Sequence, residues 1–253
     1  LVRCLMRNIW TIAKREYEHY FVSPIAYVVA FTILLVLGCI FWAVLSYAMP
    51  SPGNFNMGSV PELSPITGSF AFLLVLSTPA LTMRLIADEN RMGTMELLLT
   101  APLRDSELVI GKWLGALLFI LTIVGITLVY PIILNSMITN GIDQGAMIAA
   151  YLGLILVAAA FLAIGVGISA LFTNQVAAFF VTMVTLVLLW WVLGFPANFL
   201  QGGVEFFRYI DMQTHITSLN SGVIYVSDLV YFISLIAAGL FTGTMAVETR
   251  RWR

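Results

Sequence analysis

Charge is what this chain has least of. Only 10% of its 253 residues are Asp, Glu, Lys or Arg, against 60% hydrophobic, and the mean hydropathy is +0.98. A soluble domain carries about 25% charged and 45–50% apolar residues, so a water-soluble globular fold is excluded. Cysteine and histidine are scarce too, two of each. Cys4 lies in a polar N-terminal region and Cys39 in an apolar run, which argues against a disulfide. No zinc spacing arises from them with His19 and His215. No G-x-x-x-x-G-K-[ST] motif occurs, so the chain encodes no loop to cradle ATP phosphates. Gly111-Lys112 is followed by Trp113 and opens an apolar run instead. H-E-x-x-H and paired intramembrane aspartates are also missing, which removes the metallo- and aspartyl-protease classes. Ser169 in "GVGIS" (165–169) has no intramembrane histidine to activate it, and small residues in a span usually pack helices.

What is present is long apolar sequence. A spanning helix needs about 20 mostly apolar residues, and six segments qualify: 25–48, 66–86, 109–134, 146–172, 176–199 and 229–247. The expected class is an all-α polytopic membrane protein, a single transmembrane domain over 1–253 with an N-terminal amphipathic interfacial helix; a β-barrel would alternate in short segments. Pro24 suits the first turn of span one, Pro131 is positioned to kink or end span three, and "TNQ" (173–175) makes spans four and five a tight hairpin. Eleven of the twelve Lys and Arg residues fall before span one, between spans two and three, or after span six. Only Arg208 falls on the other side. The positive-inside rule then sets both termini in the cytoplasm. Every charge falls at a span end or in a loop, which favours an external energy supply over ion coupling.

Residues 1–22 do not read as a signal peptide, because charged and apolar residues are mixed. Leu5, Met6, Ile9, Trp10, Ala13, Tyr17 and Tyr20 recur at three- and four-residue steps. With Arg7, Lys14 and Arg15 largely elsewhere, this predicts a helix lying at the membrane surface, Trp10 and Tyr17 at headgroup depth, with a soluble helix docked on another subunit as the alternative. The segment 200–228 is semi-apolar, interrupted by "QGG" and "NSG", and is a candidate external re-entrant element. Its Glu205, Arg208, Asp211 and His215 are candidate gate residues. Gly111-x-x-x-Gly115 and Gly239-x-x-x-Gly243 predict close helix packing, within the subunit or at a dimer seam.

The polar exception is the loop 87–108. Arg84, Arg91, Arg104 and Lys112 crowd here with Asp88, Glu89, Glu96, Asp105 and Glu107. "GTMELLLT" (93–100) reads as a short helix stopped by Ala101-Pro102, with Asp105 or Ser106 capping the next one. A helix of one or two turns does not hold itself together in water. Met95, Leu97, Leu98 and Leu99 make an apolar cluster there, which reads either as part of a solvated interhelical loop or as a knob in a charged rim on which a soluble partner docks.

"ADENRMGTMELLLTAPLRDSELVIGKW" resembles the cytoplasmic loop of ABC-2 type transporter permeases. "HITSLNSGVIYVSDLVYFISL" (215–235) is similar to the gliding-motility-associated branch of that family. The resemblance runs the length of the chain. It implies the transmembrane subunit of an ATP-driven transporter, built from two permeases (a second copy or a paralogue) and two separate ATPase subunits. Residues 92–102 would be the coupling helix gripped by the ATPase, through Glu89, Arg91, Gly93, Thr94, Glu96, Leu97, Leu98 and Leu99. The chain itself would be no enzyme and hold no cofactor or metal; ATP and Mg²⁺ would bind in the partner. The implied setting is a bacterial inner membrane, with lipid and a periplasmic or auxiliary membrane protein as further partners and no nucleic acid. Export of a substrate that the family does not fix, or force transmission, is the expected role. The rival expectation is a self-sufficient secondary transporter or an intramembrane enzyme.

Overall fold

The structure is a computed structural model that describes residues 2–48, 63–92, 104–137, 141–192, 194–195 and 204–251. Its described helices are α1 (Val2–Val22), α2 (Pro24–Ala48), α3 (Ser64–Thr82), α4 (Ala87–Met92), α5 (Asp105–Thr127), α6 (Val129–Met137), α7 (Gln144–Leu171), α8 (Gln175–Val187), α9 (Val204–Ile210), α10 (Met212–Asn220) and α11 (Val226–Arg251). No strand occurs among the described residues. Six helical stretches are long and apolar enough to cross a membrane: Pro24–Tyr47, Ser64–Glu89, Asp105–Met137, Gln144–Leu171, Gln175–Val192 and Val226–Thr249. The protein is an all-α polytopic membrane protein.

Burial is uneven among these stretches. The fourth is 72% buried and the first only 11%. Helix α7 owes its central place to small residues. Ala149, Ala150, Gly153, Ala158, Ala159, Ala160, Ala163 and Gly167 are all buried. A Cβ on Gly239 of α11 would come within 2.6 Å of the Ala163 carbonyl carbon, and one on Gly167 within 2.5 Å of the Gly239 oxygen. The backbones of α7 and α11 therefore touch, the close approach that small residues allow in membranes. Both glycine motifs find their partners inside the chain.

Two prolines shape the spans. Pro131 cannot donate to the carbonyl of Thr127, four residues back. The third stretch breaks there, at Leu128 between α5 and α6, and the freed Thr127 oxygen accepts from the Tyr151 hydroxyl at 3.0 Å. Pro79 lies inside α3 near its end. After Thr82 the chain turns through 83–86 before α4 begins. Ser169 caps that turn: its hydroxyl oxygen accepts from the Ile86 and Ala87 amides, both at 3.2 Å, and donates to the Met83 carbonyl at 3.5 Å. Ser169 thus holds a turn through its hydroxyl, beyond the close packing that a small residue in a span suggests. The fifth stretch ends in a π-helical turn, Leu188–Val192, that buries Trp190 beside Phe72 and Phe161. Nothing in the apolar pattern there announced the extra residue per turn.

Helix α1 is a full element of the bundle. Asn8 meets Glu107, Ile12 meets Gly111, Glu16 meets Gly115 and Tyr20 stacks on Phe119. Each pair has the same 99-residue separation, so α1 and α5 run parallel and in register. Gly111 and Gly115 form the groove. Their added Cβ atoms would lie 2.8 Å from Ile12 Cβ and 2.6 Å from Glu16 Cβ. Tyr17 shares a hydrogen bond with Thr122 at 3.1 Å. Met6 and Trp10, 65% and 59% exposed, form a second, outward apolar edge.

These contacts define two ends of the bundle. The loop end gathers α1, α4, the start of α5, Ser169 of α7 and Gly243 of α11, which lies against Val109 and Gly167. The opposite end gathers the start of α3, Gly153 of α7, helix α10 and the start of α11.

Candidate functional site

At the loop end, three charged side chains from three helices meet. Lys112 Nζ of α5 lies 2.9 Å from Glu16 Oε1 of α1 and 2.8 Å from Glu89 Oε1 of α4. The lysine side chain is 3% exposed and the glutamates 14% and 13%. Two carboxylates on one buried ammonium are electrostatically incomplete. Arg15 is near enough to act on Glu89, and Glu89 has a further interaction. One turn earlier on α5, Glu107 is buried and accepts from Asn8 Nδ2 at 3.1 Å and from the Arg104 amide at 3.5 Å. Tyr20 completes the wall: it donates to the Leu81 carbonyl at 3.2 Å, and burial, then Glu16, pushes its phenol far above the usual tyrosine range. Beside the trio is a cavity of about 490 Å³ between α1, α2, α3, α4 and α5.

The sequence expectation for the cap of α5 needs correcting. Neither Asp105 nor Ser106 is the N-cap; both lie within the helix, and Arg104 holds the N-cap position with an extended backbone. The capping is done from within, by Glu107 at the third helical position reaching back to the Arg104 amide. Both acids at 105 and 107 still sit in the positive first turn of the helix.

The expected site residues divide into three groups. Glu89 is in the trio, and Arg91 lies on the backbone of α4. Gly93, Thr94, Glu96, Leu97, Leu98 and Leu99 fall outside the described residues, as does the Arg91 side chain. On α1, Arg7, Trp10, Lys14 and Arg15 are exposed, with Lys14 3.8 Å from Glu18, while Tyr17 faces α5. At the opposite end Glu205 is exposed on α9, and the Arg208 side chain lies outside the described residues. Asp211 is the N-cap of α10, accepting from the amides of Gln213 and Thr214 at 3.4 and 3.3 Å. His215 is 5% exposed. Its Nδ1 is 2.7 Å from Asp228 Oδ1, its Nε2 is 2.9 Å from the Tyr209 carbonyl, and its ring stacks on Tyr231. Ser218 donates to Asp228 Oδ2.

Two of these clusters escaped the sequence reading. Glu16 falls in the apolar stripe of α1 beside Ala13, Tyr17 and Tyr20, and a charge in such a stripe is a signal for a buried partner. The apolar pattern begins span six at 229, just past Asp228; the residue is 3% exposed in the first turn of α11, inside the stretch Val226–Thr249. The sequence places every charge at a span end or in a loop; the structure buries this one at the span end.

A family model described as ABC-2 family transporter protein matches residues 8–247. No curated protein matches the chain.

Proposed function

The chain belongs to the ABC-2 transporter family, and on that premise we propose that its charged segment 87–108 is where an ATPase subunit drives the membrane helices. Family membership makes the chain the transmembrane component of an ABC transporter whose ATPase is a separate subunit. The observation that carries the finer reading is the trio. Glu89 lies three residues before the end of α4 and Lys112 lies in the second turn of α5, so the two arms of the segment are tied together. Glu16 ties both to α1. A load on 92–102 then reaches α1, the end of span two and the start of span three as one unit. A buried, hydrogen-bonded charge cluster resists separation because each ion left alone would be desolvated and uncompensated.

In this reading two permease chains, identical or paralogous, sit over two ATPase subunits that bind ATP and Mg²⁺. Both termini are cytoplasmic, in a bacterial inner membrane, and the cycle exports a substrate or transmits force. The resemblance of 215–235 to the gliding-motility-associated branch supports placing the chain in that branch.

The test is a pull-down of the detergent-solubilised chain from its native membrane, with mass spectrometry and an ATPase assay on the eluate. A stoichiometric P-loop ATPase is expected, and a Leu97→Ala/Leu98→Ala chain should lose it while remaining folded. Undiminished co-purification with that variant overturns the docking role of 92–102.

A further inference from the structure

The cavity of about 490 Å³ at the loop end falls in the roughly 300–1,000 Å³ range of small-molecule sites. It lies where the first candidate span begins, at Pro24, and the second ends, at Glu89. Span ends are where a bilayer's hydrocarbon gives way to its headgroups. Its walls are of two kinds. Ile25 and Ala26 from the first turn of α2, with Leu81 from α3, make an apolar side. Charged groups make the other. Lys112 is taken by Glu16 and Glu89. Arg15, Arg84 and Asp88 line the same space with no ion pair among the described residues.

We propose that this cavity holds the headgroup of a zwitterionic aminophospholipid, of the phosphatidylethanolamine kind. The phosphate faces the Arg15 and Arg84 guanidiniums, whose forked donors suit phosphate oxygens. The primary ammonium faces the Asp88 carboxylate, and the glycerol end leaves over the apolar wall. Three cations and three carboxylates line the cavity, so its wall has no net charge to recruit an anionic headgroup over a dipolar one. A headgroup without ammonium hydrogens cannot donate to Asp88. This inference rests on the cavity and the spans, and stands or falls separately from the docking role of 92–102.

The test uses the full chain in nanodiscs of phosphatidylcholine containing equal small amounts of phosphatidylethanolamine and phosphatidylglycerol, with retained lipid counted by native mass spectrometry after detergent release. Phosphatidylethanolamine is expected to be enriched about tenfold over the other two, the effect of one charge-assisted hydrogen bond. Arg84→Ala should cut its retention about tenfold, and Asp88→Asn should abolish the preference over phosphatidylcholine. Equal retention of all three lipids, or enrichment unmoved by both variants, overturns the proposal. Preferential retention of phosphatidylglycerol overturns it as well, by making the site one for anions. A wild-type arm needs no variant to fold: water-soluble glycerophosphoethanolamine should compete only weakly. Competition as strong as that of the intact lipid would make the ligand a soluble metabolite and overturn the lipid assignment.

Discussion

At the loop end, Lys112 is clamped between carboxylates of α1 and α4. At the opposite end, His215 lies between Asp228 and the Tyr209 carbonyl, Asn220 holds Thr67 at 2.9 Å, and Asp143 and Asp211 cap the helices they precede. The first set joins three helices through full charges at one point. The second holds one buried pair, His215–Asp228 between α10 and α11, and one hydrogen bond between α3 and α10, Thr67–Asn220; the rest are caps at helix ends. Buried charge clusters tolerate loss of one member badly, whereas hydrogen bonds at helix ends fail one at a time. The difference is that between a clamp and a row of stitches.

The sharpest way to break the comparison is Lys112→Met. It leaves two buried carboxylates facing each other, and the expected loss is about 3–5 kcal/mol, read as a lowered melting temperature in detergent. Adding Glu16→Gln and Glu89→Gln should recover most of it. A triple variant as unstable as the single one would mean that packing, and not charge, holds this end.

His215→Phe keeps an aromatic ring against Tyr231 and removes both ring hydrogen bonds. Leaving Asp228 short of a partner is expected to cost about 1–3 kcal/mol, measured in the same melt. A loss equal to that of Lys112→Met would erase the distinction between the ends.

A pair of glycine substitutions sharpens it in packing terms. A Cβ at Gly115 would meet Glu16 Cβ at 2.6 Å and the Ala13 carbonyl at 2.9 Å, whereas at Gly68 it would meet only Asn220 Nδ2 at 3.5 Å. Gly115→Ala should destabilise by about 1–3 kcal/mol through overpacking, with α1 released to protease. Gly68→Ala should be neutral or stabilising by up to about 1 kcal/mol, the helix-interior preference for alanine. Smallest of all is Lys14→Ala at the exposed pair with Glu18, with an expected change of about 0.3–0.5 kcal/mol.

Much of the architecture was legible, for reasons that name its limits. Apolar length located the spans, because a bilayer imposes it. The G-x-x-x-G spacings announced close packing, yet 111–115 gave no sign that its partner would be α1. Periodicity reports which residues of one helix share a face and not which helix they meet. The same limit hid the trio. Glu16 and Lys112 each looked like a charge at a membrane boundary, where solvation is the ordinary state, and only their 96-residue tertiary pairing buries them. His215 and Asp228 fall in and at the end of the semi-apolar segment 200–228, whose pattern does not say that helix α10 brings them together. Pro131 located the break in span three, but the Tyr151 hydroxyl that heals it comes from another helix.

Ser23 is the single non-helical residue between α1 and α2. Helix α1 is seated in the glycine groove of α5, while the span of α2 is 11% buried. Read as a mechanism of rods and joints, α2 is a lever hinged at Ser23 and steadied along its length by α3 and by Tyr130, which meets Leu34 and Phe41. Its 25 residues extend about 37 Å, so a tilt of about 10° at the joint sweeps its far tip through about 6 Å. Small angular error at the loop end is thus magnified across the bilayer, and a one-residue insertion beside Ser23 should disturb the opposite face more than the one where it is made.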